Sequence, residues 1–131
     1  MKQNGLLFIP DISGFTKFVN TVELKHSQHI IRELLEIIID ANEMELNISE
    51  VKGDAILFYK LGKSPDLDIT YKQVEKMFLA FHKHLEWYES IRTCSCNACI
   101  STIRLSLKII THYGEFRENK IKNFLQLIGK M

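Results

Sequence analysis

Apolar and polar positions alternate between two periods along the chain, and the switches between them mark the elements. Leu6-Leu7-Phe8-Ile9 is a short apolar run that predicts a buried strand, which Pro10 ends because it has no N–H for a ladder. Asp11 then stands at the strand's carboxyl end, and Ser13-Gly14-Phe15-Thr16 turns the chain toward a short helix over 16–21, with Phe15, Phe18, Val19 and Val22 on its apolar side. A stronger helix follows, with Ser27 as N-cap. Its stripe of Ile30, Ile31, Leu34, Leu35, Ile37, Ile38, Ala41 and Met44 runs to about Glu45 or Leu46. His26 and His29 lie at its entry with no acidic partner fixed nearby.

Residues 48–51 and 55–59 read as the arms of a β-hairpin turning at Lys52-Gly53-Asp54, with Gly53 supplying a positive φ. Gly62, Ser64 and Pro65 mark 61–70 as a surface connection. Tyr71 to Ser90 is an amphipathic helix whose core face carries Val74, Met77, Phe78, Phe81, Leu85 and Tyr88; Trp87 falls at its edge. Ile103, Leu105, Leu107 and Ile109 alternate with Arg104, Ser106 and Lys108, the pattern of a strand with one polar face. His112-Tyr113-Gly114 reads as a turn and Lys120 to Ile128 as a last strand, with Phe124-Leu125-Gln126-Leu127 also compatible with a helix. Strand, helix pair, hairpin, helix, strand, strand is the order of an α+β sandwich: a mostly antiparallel sheet with helices on one face, in a single domain over 1–131.

Composition narrows the partners more than the fold. The 131 residues are 46% hydrophobic and 25% charged with a formal net charge of +1, so no basic field points to nucleic acid. The longest apolar runs are far short of a membrane span, and no signal-peptide core precedes the first strand, which leads to an expected cytoplasmic location. The three cysteines, Cys94, Cys96 and Cys99, are odd in number and tightly clustered, a poor disulfide framework and a better set of metal ligands or thiols. They are one ligand short of a tetrahedral zinc site, which His112 or His84 could complete. A zinc-stabilised interaction module is therefore one functional reading.

Asp11 and Asp54 carry the other reading. Taken singly, they are a helix cap and a turn residue. Taken together, Asp-Ile-x-Gly-Phe-Thr at 11–16 and Gly-Asp-Ala at 53–55 resemble the catalytic domain of class III adenylate and guanylate cyclases. His112-Tyr113-Gly114-Glu115 is similar to a later His-x-Gly-Glu segment of that family, and the Cys-x-Cys-x-x-Cys segment resembles a branch of uncharacterised cyclase-like domains. The resemblance implies a ferredoxin-like sandwich that places Asp11 and Asp54 at one sheet edge. There, with the Ile12 carbonyl, they would bind Mg²⁺ or Mn²⁺.

By the same resemblance the backbone N–H groups of Ser13, Gly14, Phe15 and Thr16 would cradle phosphate. Glu50 and Gln126 would occupy the purine-reading positions. The ligand would be a purine nucleoside triphosphate, and the longer protein a homodimer. The ribose-orienting Asn and charge-stabilising Arg of the family have no counterpart in the 131 residues, so no catalytic residue is assigned and the domain is expected to be C-terminally truncated. Two expectations follow: binding of metal and nucleotide with little or no turnover, or cyclisation of the triphosphate by a full-length dimer.

Overall fold

The computed structural model describes residues 2–14, 24–91, 105–121 and 124–129. Seven elements run in the order β1 (Lys2–Ser13), α1 (Leu24–Asp40), β2 (Asn47–Val51), β3 (Ile56–Leu61), α2 (Leu67–Ile91), β4 (Ser106–Ile121) and β5 (Phe124–Gly129). The strands form one antiparallel sheet in the order β2-β3-β1-β4-β5, with β1 at its centre. The expected α+β architecture is thus present. The short helix expected over 16–21 lies outside the described residues.

β1 alternates, and that alternation separates the two faces. Leu6, Phe8 and Ile12 are buried with Ile56, Phe58, Leu105 and Leu107 under the apolar stripes of α1 and α2. Phe8 and Phe58 are register partners, and their rings meet edge to face, centroids 6.4 Å apart at 77°. The stripes of α1 and α2 converge on this layer through Ile30, Leu34, Ile38, Met77, Phe81 and Leu85. Leu7, Ile9 and Asp11 fall on the opposite face of β1, which carries no helix among the described residues.

Several elements differ from the sequence reading, each for a local physical reason. β1 is longer than residues 6–10, because β4 pairs with all of it from Lys2↔Arg117 to Ser13↔Ser106. His112-Tyr113-Gly114 is strand, not turn: the same ladder holds it through Leu7↔His112 and Gly5↔Gly114. Helix α2 begins at Leu67, inside the expected loop, where the Asp66 carbonyl accepts the Thr70 N–H at 3.1 Å just after Pro65. Phe78 is 43% exposed and so is not core. Among the described residues Gly53 is not at positive φ; Gly14 (88°) and Gly62 (113°) are.

Helix α1 starts at Leu24, so Ser27 is not its cap, and it stops at Asp40, short of Glu45. The stop is built by side chains. Asn42 bonds both the N–H and the carbonyl of Leu46, at 3.1 and 2.9 Å, competing with a further helical turn. Gln73 of α2, 2% exposed, accepts the N–H groups of Glu43 (2.7 Å) and Met44 (2.9 Å) and donates to the Ala41 carbonyl (2.8 Å). One buried amide thus satisfies three backbone groups at the end of α1 and fixes where the chain re-enters the sheet as β2. Gln73→Ala would leave those groups buried without partners. It is expected to cost about 2–4 kcal/mol in urea unfolding at unchanged m-value; a cost near zero would show that the turn finds other partners.

Candidate functional site

The site begins with a gap in a ladder. β1 pairs with β3 from Gly5↔Leu61 to Phe8↔Phe58, lapses at Ile9 and Pro10, and resumes in the same register as a single bridge, Asp11↔Ala55. Pro10 is the cause: residues of even number in β1 direct their N–H toward β3, and Pro10 has none to give. On the other side the ladder to β4 continues unbroken through Pro10↔Ile109. Pro10 therefore ends pairing on one side only, not the strand as expected.

Past the gap, the Ile12 N–H bonds the Asp54 carbonyl at 2.7 Å, and the Lys52 N–H bonds the Ala55 carbonyl at 2.8 Å across the hairpin turn. These bonds hold Asp54 beside Asp11. The Asp54 carboxyl lies near enough to act on that of Asp11. The pKa of Asp11 is raised, first by burial, then by the Asp54 charge and the hydrogen bond with it, against an opposing pull from Lys108. Asp11 Oδ1 is buried and has no hydrogen-bond partner among the described residues. Two adjacent carboxylates, one with an oxygen left unsatisfied in the interior, suit a hard divalent cation that retains waters and takes few protein ligands. Ile12 is itself buried, and its N–H is bonded to the Asp54 carbonyl.

The remaining expected residues divide. Ser13 and Gly14 are exposed where β1 ends, and the positive φ of Gly14 turns the backbone there; Phe15 and Thr16 lie outside the described residues. Glu50 is exposed on β2. A register shift between Ile48 and Glu50 inserts one extra residue, which sets Glu50 opposite Leu57 on the sheet face of Asp11; without it Glu50 would fall opposite Ile56 on the helix side. β5, which carries Gln126 opposite Asn119, comes within 8 Å of β2 in Cα–Cα distance, although the two strands end the sheet order. Cys94, Cys96 and Cys99 lie outside the described residues. His112 is half-buried opposite Leu7, and His84 bonds Glu33 at 3.0 Å. His29 does have an acidic neighbour, Glu33 at 3.8 Å, contrary to the sequence reading. Among the described residues no three His, Cys, Asp or Glu side chains are grouped to hold a metal ion.

Lys108 is the residue the sequence reading passed over. It is the β4 register partner of Asp11, on the same sheet face, exposed, and near enough to act on the Asp11 carboxyl. Its polar-face position was legible in the alternation of β4, but only the register with β1 names its partner.

This fold is that of the nucleotide cyclase catalytic domains. The adenylyl cyclase CyaB from P. aeruginosa superposes with a TM-score of 0.66 at 16% identity, over 99% of this chain and 67% of that one. The guanylyl cyclase Cya2 gives 0.65 at 13%, over 100% and 65%. The guanylate cyclase domain of RhGC from Catenaria anguillulae, solved in complex with GTP, gives 0.59 at 17%, over 100% and 68%. By sequence, the chain belongs to the family described as protein of unknown function (DUF2652), whose model matches residues 31–131. It is 29% identical over 97 residues to the uncharacterized protein Rv2561/Rv2562 of Mycobacterium tuberculosis, matching 74% of this chain and spanning less than half, 45%, of that relative.

The raised pKa of Asp11 has a signed consequence for stability. An acid whose folded pKa lies above its unfolded value stabilises the fold fully below the unfolded value, and that contribution is lost as pH rises through the folded value. Asp11→Asn is therefore expected to raise the melting temperature of the metal-free protein at pH 7, with the gain shrinking toward pH 3. A variant that melts lower than wild type at pH 7 would contradict the like-charge conflict.

Proposed function

We propose that this domain binds Mg²⁺ or Mn²⁺ through Asp11, Asp54 and the Ile12 carbonyl, and a purine nucleoside triphosphate against that metal, with little or no turnover by this chain. The observation that carries the reading is the buried, unpartnered Asp11 Oδ1 beside Asp54. A structure that holds two carboxyls together, one of them incompletely satisfied, maintains an electrostatic conflict that a cation removes. When bound, the metal would supply charge neutralisation for the phosphates.

The other roles follow from position. Lys108, across from Asp11, would meet a phosphate oxygen that the metal does not cover. Gly14 would present its backbone N–H where β1 ends, with Phe15 and Thr16 continuing that turn; the Ser13 N–H faces β4, where Ser106 is its register partner. Glu50 on β2 would read the base, and Gln126 on β5, opposite Asn119 and eleven positions along β4 from Lys108, would do so only across a dimer. Glutamate accepts hydrogen bonds from a guanine edge, while glutamine can both donate and accept. That separation favours a second reading, cyclisation of the triphosphate by a longer, dimeric form of the protein.

Thermal denaturation with Mn²⁺ and a non-hydrolysable guanosine or adenosine triphosphate tests the binding. Ligand at about 100 times its Kd stabilises by about 2.7 kcal/mol, a rise of roughly 5–10 °C for a domain of this size. Asp54→Ala and Asp11→Asn should abolish the rise. Lys108→Gln should weaken the nucleotide-dependent part while leaving the effect of Mn²⁺ alone. No shift at millimolar ligand would overturn the binding reading. Cyclic nucleotide formed by this chain at enzyme-like rates would overturn the expectation of little turnover.

A further inference from the structure

The first residues of β4 are held by a side chain outside the sheet. Ile12 directs its N–H to β3, so its register partner Leu107 directs its own N–H away from β1, to the outer edge of β4. β5 pairs with β4 only from Phe116 onward, which leaves that edge without a strand partner at Leu107 among the described residues. The Leu107 N–H is instead accepted by His82 Nε2 of α2 at 3.4 Å. The His82 ring is fixed there by Phe78, centroid 4.2 Å away, and Phe81, 5.2 Å away. Only a neutral imidazole can accept this bond; in the protonated ring both nitrogens are donors, and N–H faces N–H.

We propose that His82 is a proton-operated catch: neutral, it ties α2 to the start of β4; protonated, it releases Leu107 and loosens the Ile12–Asp54 bridge that Leu107 backs. The route is short. Leu107 pairs with Ile12, Ile12 holds the Asp54 carbonyl, and the adjoining pair is Asp11↔Lys108. The groups around the ring agree with a neutral resting state. Burial lowers its pKa, and this outweighs the opposing effect of Glu86, one turn further along α2. From β4 the ring meets the Leu107 N–H, and Lys108 lies on the far face of the sheet. The bond is therefore present at neutral pH and lost as pH falls through the ring's own pKa, which lies below the ordinary histidine value of about 6.5. The inference stands apart from the metal reading, because both of its reporters are backbone amides of the metal-free protein.

Amide hydrogen exchange of the metal-free chain at pH 7.5 and 4.5, corrected for the intrinsic pH dependence of exchange, tests it. In wild type, protection of Leu107 and of Ile12 should fall about five- to tenfold at pH 4.5, the loss of one ordinary hydrogen bond. His82→Gln, whose side-chain oxygen can accept at the Nε2 position without titrating, should keep both amides protected at both pH values. His82→Phe, which keeps an aromatic ring but has no acceptor, should leave Leu107 weakly protected at both. Leu107 protection that does not change with pH in wild type, or that falls equally in His82→Gln, would overturn the catch. A fall at Leu107 with none at Ile12 would overturn its transmission to the aspartate bridge.

Discussion

The meeting of the two aspartates depends on one missing backbone N–H. Pro10 lies in the central strand, facing β3, where any other residue would close a ladder bond. Because it cannot, β1 and β3 part at Ile9 and Pro10 and meet again only at Asp11↔Ala55. The unbroken ladder to β4 keeps β1 in place while this happens. The lapse falls one residue before the acid, and the first bond after it, Ile12 to Asp54, brings in the second acid. A proline inside a central strand is ordinarily an argument against the strand. Here the two-sided accounting of its neighbours explains why it is tolerated and what it positions.

The arrangement has a cost that the rest of the fold absorbs. Burial and the neighbouring Asp54 raise the pKa of Asp11, and one of its oxygens is left without a donor among the described residues. Interiors avoid both conditions unless something gains from them. The compensating order lies nearby. The Phe8–Phe58 pair anchors the last full rung before the gap, and Gln73 locks the turn from which β2 and the hairpin depart. Stability is thus concentrated around a site that is itself in conflict, the usual relation between a scaffold and the groups it presents.

Much of the fold was legible because long periodic segments dominate it. The stripe of Ile30 through Met44, the amphipathic pattern of 71–90 and the alternation of 103–109 each identify an element, and together they identify the architecture. What was misread lay where a long-range partner overrides a local signal. His112-Tyr113-Gly114 has the composition of a turn, yet twelve residues of β1 stand ready to pair with it. The end of α1 is set by Gln73, thirty positions away along the chain from Glu43. For the site, the two aspartates were found because their motifs resemble a known pair. Lys108 was not, since its importance depends on register, and register is invisible without the partner strand. Glu50 reaches the Asp11 face only by way of an irregularity in β2 that no single-residue propensity announces.

The claim at the centre of this account is that Asp11 and Asp54 form one cation site. Anomalous diffraction at the manganese edge from crystals equilibrated with Mn²⁺ and a non-hydrolysable purine nucleoside triphosphate tests it most directly. A peak is expected between the two carboxyls, about 2.0–2.3 Å from an oxygen of each, with the triphosphate against it on the side of Lys108. An empty carboxyl pair at saturating Mn²⁺, or manganese bound only elsewhere on the molecule, would contradict it.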